Sequence, residues 1–215
     1  MARIPVLAAV LLLAWPGVAP PRVTPSISDD EVVPPRMREA RPPVGSGRPG
    51  ELVVVPGHQG SSAAGALRFL VEVEGGLAVD RAAFARHVTR TLRDGRSWTT
   101  PFRRVGSGTV DFRVTLAGPS LTNHLCAPLL TNGIYSCAQN GRAVLNAMRW
   151  LDGAAAYGDR LGRYRIYMVN HEVGHVLGRG HASCPAAGAP APVMMQQTRG
   201  VAPCRPNPWP LSWER

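Results

Sequence analysis

The residues best suited to chemistry lie in one short stretch, from His171 to His181, with the sequence His-Glu-Val-Gly-His-Val-Leu-Gly-Arg-Gly-His. On a helix, His171 and His175 lie one turn apart on the same face, so both imidazoles can reach one metal ion. Glu172 can reach a water molecule at an open coordination position, which suits it to be a general base. The stretch therefore predicts a catalytic Zn²⁺ site that hydrolyses peptide bonds.

His181 completes the predicted ligand set, although a continuous helix would not place it there. Counting 100° per residue, it lies about 120° away from His175 around the helix axis. The chain must therefore leave the helix, and Gly178 can adopt the left-handed conformation that such a turn needs. Three neutral imidazoles leave the fourth position of Zn²⁺ open for water, as in catalytic rather than structural zinc sites.

The extended motif resembles that of the metzincin clan of zinc endopeptidases. Clan members place a Met-containing turn beneath the metal, and Pro-Val-Met-Met-Gln at residues 192–196 follows the third histidine at a suitable distance. The resemblance implies that Met194 is the Met-turn residue, with Met195 as the second choice. It also implies an α+β fold over residues 65–200: a small twisted mixed sheet with a backing helix, then a long zinc-binding helix, then an irregular carboxyl-terminal subdomain.

The chain departs from the clan in some respects. No Tyr follows the Met-turn as a fifth metal ligand, no Cys precedes the domain as a cysteine switch, and no acidic cluster indicates a calcium site. The resemblance further implies a strand between Gly133 and Cys137 at the edge of the sheet. Such a strand would pair with an extended peptide substrate.

Hydrophobic patterning predicts the elements that position the motif. A helix with Asp80 as its cap is predicted over residues 81–94, ending at Gly95. A buried helix is predicted over residues 161–177, because this stretch contains no Pro and is apolar nearly all round its second half. Five strands are predicted from hydrophobic runs between turn residues: 52–55, 67–74, 98–105, 109–116 and 143–150.

The first 50 residues predict a leader and a linker. An apolar stretch at residues 4–15 is too short to span a bilayer and predicts a signal peptide or N-terminal anchor within residues 1–19. Residues 20–50 are rich in Pro and predict a disordered linker or a propeptide. Residues 51–215 form the predicted metallopeptidase-like domain. We expect a secreted bacterial protein, or a membrane-anchored one if the leader is uncleaved.

Four cysteines, Cys126, Cys137, Cys184 and Cys204, form an even set that should be oxidised in an exported protein. Of the three pairings, Cys126 with Cys137 and Cys184 with Cys204 would close the shortest loops, each worth roughly 3 kcal/mol. A tetrathiolate zinc site is disfavoured, because the chain contains no Cys-x-x-Cys.

Charge and composition leave several partners open. All 24 basic residues are Arg, and the net charge is +10. Such a surface can contact an anionic cell wall or acidic peptides. Specific nucleic-acid binding is not expected, because no Arg run is interleaved with aromatic residues. We expect a monomer with a peptide or protein substrate. The alternative function is an inactive zinc-stabilised module that binds cell-wall polymers or proteins.

Some residues with functional chemistry are interpreted as structural or incidental. His124 is assigned to a loop near Cys126, and His87 to the first helix. The remaining members of this group are expected to pack in the core or in the carboxyl-terminal tail, or to be incidental: His58, Tyr164, Tyr167, Trp209 and Trp213.

Overall fold

A mixed sheet of seven strands with four α-helices forms the part of the chain that the computed structural model describes, residues 47–215. The predicted leader at residues 1–19 and the linker up to residue 46 lie outside the described residues. The strands are β1 (Leu52–Val54), β2 (Gln59–Gly60), β3 (Leu67–Glu74), β4 (Phe102–Arg104), β5 (Phe112–Ala117), β6 (Cys137–Gln139) and β7 (Arg142–Asn146). The helices are α1 (Arg81–Arg93), α2 (Pro119–Cys126), α3 (Ala147–Asp152) and α4 (Leu161–Val176), with a 3₁₀ turn at Ala155–Tyr157.

The sheet has the strand order β2-β4-β3-β5-β7-β6, and β1 also pairs with β3. The central strands β4, β3, β5 and β7 are parallel, whereas β1, β2 and β6 pair antiparallel with their neighbours. From Phe69 onward every residue of β3 is buried, as expected for a central parallel strand that is covered on both faces. The fold therefore combines helices with a mixed sheet, which is the coarser part of the predicted α+β class.

Helix α1 forms where its sequence pattern predicts it. The Asp80 carboxylate accepts a hydrogen bond from the Ala83 amide at 2.9 Å, and Phe84, Val88 and Leu92 turn to the core. The helix ends at Arg93, two residues before Gly95. Helices α1 and α4 share one hydrophobic core with the sheet, while α2 packs on a second, smaller cluster around the Cys126–Cys137 disulfide.

The predicted strand at residues 143–150 is wrong in its second half. The strand β7 stops at Asn146, whose side chain accepts a hydrogen bond from the Met148 amide at 3.0 Å and starts helix α3. Trp150 then packs edge-on against Phe84, with ring centroids 4.8 Å apart. A short apolar run fits a buried strand or a buried helix equally well, so periodicity alone cannot separate them.

Three other predictions need correction. Helix α2 has no counterpart among the predicted elements, and it carries His124, which was assigned to a loop. The edge strand begins at Cys137 and does not precede it. The strand predicted at 98–105 is reduced to Phe102–Arg104, because Trp98 turns away and its indole N–H donates to the Asn170 carbonyl at 3.2 Å.

The predicted strand at 67–74 is confirmed, and the one at 109–116 lies at Phe112–Ala117. Residues 47–50, from the predicted linker, lie against the end of β3, where the Gly50 amide donates to Glu74 at 2.8 Å. None of the helices in residues 47–215 is long and apolar enough to cross a membrane.

After α4 the described chain has no further helix or strand, as predicted. Both disulfides follow the shortest-loop pairing, Cys126–Cys137 and Cys184–Cys204. They indicate an extracellular or exported protein. Trp209 is buried as expected, but Trp213 is 61% exposed and does not pack the tail.

Candidate metal centre

Helix α4 supplies the first two imidazoles of the site. It is buried through most of its length, and it places His171 and His175 one turn apart with ring centroids 4.8 Å from each other. His171 is buried and His175 is partly exposed, so the pair points from the core towards the surface.

Gly178 ends the helix as the motif predicts. Its φ is +81°, in the left-handed region that favours glycine. The Gly178 amide donates to the His175 carbonyl at 2.9 Å, and the Arg179 amide donates to the Gly174 carbonyl at 2.9 Å, which is the Schellman closure. The Arg179 carbonyl then lies 2.8 Å from Nδ1 of His175. The turn therefore both stops the helix and orients the second imidazole.

The imidazole of His181, from the irregular segment after α4, lies next to those of His171 and His175. Its Nε2 lies 3.1 Å from Nε2 of His175, and its ring lies nearly parallel to that of His171 with centroids 5.5 Å apart. The next residue, Ala182, donates its amide to the Met194 carbonyl at 3.1 Å, which anchors the segment. One ring nitrogen from each of the three histidines lies within 4.8 Å of the others, so the cluster could hold a metal ion.

The tautomers of the two helical histidines follow from their partners. Nδ1 of His171 lies 2.8 Å from the Val193 carbonyl, and Nδ1 of His175 contacts the Arg179 carbonyl. A carbonyl oxygen can only accept, so each Nδ1 carries the proton and each Nε2 keeps its lone pair. Burial lowers the pKa of His171 to about 3 and lowers the pKa values of His175 and His181. Neutral imidazoles with free Nε2 lone pairs are what a metal requires.

Glu172 lies beside these histidines in the same cleft. Its side chain is buried, and Oε2 has no hydrogen-bond partner among residues 47–215. Burial raises the pKa of Glu172 to about 8. A buried carboxylate without a partner is costly, and a cation at the three imidazoles would offset that cost. The donor set and the unpaired carboxylate therefore fit a divalent metal.

Met194 packs against helix α4, and Gly174 permits the close approach. A Cβ atom added at Gly174 would overlap the Met194 sulfur and would lie 2.7 Å from the Trp98 ring. Met194 is buried, whereas Met195 is partly exposed. Of the two methionines, Met194 is therefore the one that packs against helix α4, at Gly174 next to His175.

Glu214 is a residue of this region that sequence reasoning missed. Its buried carboxylate accepts hydrogen bonds from the amides of Val193 at 3.0 Å, Met194 at 2.9 Å and Leu211 at 2.8 Å. The Val193 carbonyl is the group that orients His171. No motif spacing marks Glu214, and its only signal is that it is a lone acid in a basic, Pro-rich tail.

Two more side chains hold the turn that contains Met194. The Tyr167 hydroxyl donates to the Met195 carbonyl at 3.0 Å and accepts from the Gln197 amide at 2.9 Å. The Gln197 side chain is fully buried, accepts from the Tyr157 hydroxyl at 2.8 Å and donates to the Pro192 carbonyl at 3.0 Å. These bonds give Tyr167 a structural role, and Tyr164 is likewise buried in the core, as expected from the sequence.

The three imidazoles face an open cleft of about 490 Å³. One wall is formed by residues 129–132 and by the edge strand β6, and it includes the exposed side chains of Leu129 and Leu130. The segment after Met194 also lines the cleft and includes Arg199. The outer side of β6 has no strand partner among the described residues. The cleft therefore leaves the three imidazoles and the free edge of β6 accessible from outside.

Comparison with known proteins assigns the chain to a family. The family described as "Protein of unknown function (DUF3152)" matches residues 43–205, which include all three histidines, Glu172 and Met194. Comparison with curated proteins and with solved structures gave no match. The match covers well over half of the chain, so this protein belongs to the DUF3152 family.

Proposed function

We propose that the protein is a secreted zinc-dependent endopeptidase of metzincin-like architecture. The observation that carries the proposal is the convergence of three imidazoles beside a buried, unpaired carboxylate in an open cleft. A purely structural zinc site is closed by four protein ligands and needs neither the carboxylate nor the cleft. The position of Met194 beneath α4 and the turn at Gly178 support the metzincin resemblance.

His171, His175 and His181 would hold the metal through one ring nitrogen each. Zinc at such a site supplies Lewis acidity, which polarises a carbonyl and promotes the ionisation of water near neutral pH. Glu172 takes the proton from the attacking water at Oε2 and passes it to the leaving amine nitrogen, so the carboxylate is regenerated at the end of the cycle. The buried surroundings of Glu172 keep bulk water away from this proton.

The edge strand β6 supports a peptide as the substrate. Its outer backbone N–H and C=O groups have no strand partner among residues 47–215, and Cys137 and Ala138 line the cleft. An extended peptide could add to this edge by main-chain hydrogen bonds, with its side chains against the exposed Leu129 and Leu130. Such pairing would hold the peptide next to the three imidazoles.

The substitution Glu172→Ala tests the proposal. We expect the variant to keep one bound zinc and its fold, and to lose peptide hydrolysis by about 10³-fold, because the base is not a metal ligand. Zinc is measured by mass spectrometry, fold by circular dichroism and hydrolysis with a fluorogenic peptide library. Glu51→Ala, at an exposed residue outside the cleft, is the matched control.

Two results would overturn the enzyme proposal. One is wild-type protein with one zinc bound that cleaves nothing in a diverse library. The other is full hydrolytic activity in Glu172→Ala. Either result would favour the alternative of a zinc-stabilised module that binds cell-wall polymers or proteins without turnover.

A further inference from the structure

Arg199 is a cation of the cleft without a charged partner. It lies in the segment after Met194 that lines the cleft, and its guanidinium carbon sits 5.2 Å from the ring centroid of Tyr135, another cleft residue. Within residues 47–215 no carboxylate forms an ion pair with it, and its side chain donates no hydrogen bond there. Arg199 is also exposed, so its N–H groups are open to a ligand.

Several other arginines of the molecule form ion pairs or side-chain hydrogen bonds with described residues, whereas Arg199 does not. Arg113 and Arg142 both bind the buried carboxylate of Glu72, and Arg104 donates to the carbonyls of Val55 and Pro56 at 2.7 and 2.8 Å. These contacts hold the sheet together. The guanidinium of Arg199 is left available in a cleft that we propose binds substrate.

The other residues that line the cleft show why the charge of Arg199 matters for substrate binding. Among the cleft-lining residues, Glu172 is the only acid, and the proposed mechanism already uses it. The remaining lining side chains, apart from the three histidines, are apolar or neutral and polar. The contact with Tyr135 helps to hold the guanidinium within the cleft. A planar N–H fork matches the two oxygens of a carboxylate.

We propose that Arg199 is a specificity-determining residue that selects peptides carrying a carboxylate close to the cleaved bond. The carboxylate comes from an acidic side chain or from a free carboxyl terminus, and both present the same two oxygens. This inference rests on the proposed endopeptidase function. It predicts a preference for substrates with a carboxylate, which the three histidines and Glu172 alone do not predict.

The test compares matched fluorogenic peptides cleaved by the zinc-loaded protein. Glu, Gln or Lys is placed at each of the three positions on either side of the cleaved bond, and a second set ends in a carboxylate or an amide. We expect kcat/KM for the carboxylate peptide to exceed that of its neutral partner by about fivefold at low ionic strength. The ratio should shrink in about 1 M salt. The two sets distinguish an acidic side chain from a terminal carboxylate.

Variants assign the preference to this residue. In Arg199→Gln the ratio of Glu to Gln peptides should fall to about one, and in Arg199→Glu the preference should turn towards Lys peptides. Arg93→Gln, an exposed arginine at the end of α1, removes the same charge and should keep the wild-type ratio. A wild-type enzyme without carboxylate preference, or an unchanged ratio in Arg199→Gln, would overturn the inference.

A binding measurement separates this inference from the proposed function. Fluorescence anisotropy with the same peptides and the zinc-loaded Glu172→Ala variant reports recognition without turnover. If wild-type protein cleaves no peptide but this variant binds carboxylate peptides through Arg199, then the endopeptidase proposal fails and the recognition role survives. If peptides are cleaved or bound without regard to carboxylates, then the role of Arg199 fails alone.

Discussion

The candidate metal centre is built from two regions that obtain their order in different ways. Helix α4 carries His171 and His175, and the local helical repeat is enough to align them. His181 and the carbonyl of Val193 belong to residues 178–215, which contain no helix or strand. This second region takes its shape from the Cys184–Cys204 disulfide and from side-chain hydrogen bonds to the backbone, above all those of Glu214 and Gln197.

The difference shows how a regular and an irregular region can share one site. A helix tolerates the loss of one contact, because each residue adds its own backbone bond. The irregular region depends on a few bonds between distant residues, so single substitutions there should change the site more widely. The following predictions test that contrast.

The largest expected effect is on metal binding when a histidine of the site is removed. His171→Ala, His175→Ala and His181→Ala should each lower zinc affinity by more than about 100-fold, since even supporting residues typically account for 10–100-fold. His171→Ala should also destabilise the metal-free protein, whereas the exposed His181→Ala should not. Affinity is measured by chelator competition and stability by denaturant unfolding.

His124→Ala, on an exposed position of α2, is the control for this series. Unchanged zinc content in His181→Ala would contradict the three-histidine site and leave only the helical pair.

Removing the Glu214 carboxylate should give the next largest effect. Glu214→Ala leaves three amide donors without their acceptor, and the free energy of unfolding should fall by about 4 kcal/mol. Zinc affinity should fall by roughly 10-fold, because the Val193 carbonyl that orients His171 loses its support. Urea unfolding and chelator competition measure the two effects. A change in stability below about 1 kcal/mol would show that other bonds hold the turn.

The two disulfides separate stability from metal binding. Replacing both cysteines of either bridge by Ser should lower the free energy of unfolding by about 3 kcal/mol. Only loss of Cys184–Cys204 should also weaken zinc binding, because that bridge closes the region after His181. Loss of Cys126–Cys137, between α2 and β6, should leave zinc affinity within about twofold. Equal effects of the two pairs on zinc would contradict the contrast between the regions.

The smallest expected effect is a loss of folding stability at acid pH that arises from His87 on helix α1. Burial, together with the charges of Arg165 on α4 and Arg90 on α1, lowers the pKa of His87 to about 3. Below pH 6.5 the unfolded chain takes up a proton that the folded state refuses, so stability falls as the pH drops. From pH 7 to pH 5 the loss due to His87 should be about 2 kcal/mol.

His87→Leu removes this titration and keeps a side chain that can pack against Trp150, which His87 contacts edge-on at 5.2 Å. The metal-free wild type and variant are compared by denaturant unfolding at both pH values. Equal pH dependence in the two proteins would mean that His87 does not titrate on unfolding.

Local patterns predicted α1 and α4 well. Both helices have caps or turn residues at their ends and apolar faces that fill at least three turns, so local preferences agree with the fold. Strand β3 was equally clear because it is buried along nearly its whole length. By contrast, the stretch from Ala143 to Trp150 carries one apolar pattern but divides into β7 and α3 at the Asn146 cap.

The sequence by itself determined which residues form the candidate site: the three histidines, the neighbouring Glu172 and the turn at Gly178. It favoured the shortest-loop disulfide pairs among three possible pairings. Spacing along a helix and the left-handed preference of glycine are local properties, so they can be inferred from residue order. Only the tertiary structure decided that His181 meets the helical pair and that Met194 packs against α4 at Gly174. It also decided that Glu214 holds the turn of Met194 and that Arg199 lines the cleft. These contacts join residues far apart in an irregular chain, where no repeat links sequence position to direction in space.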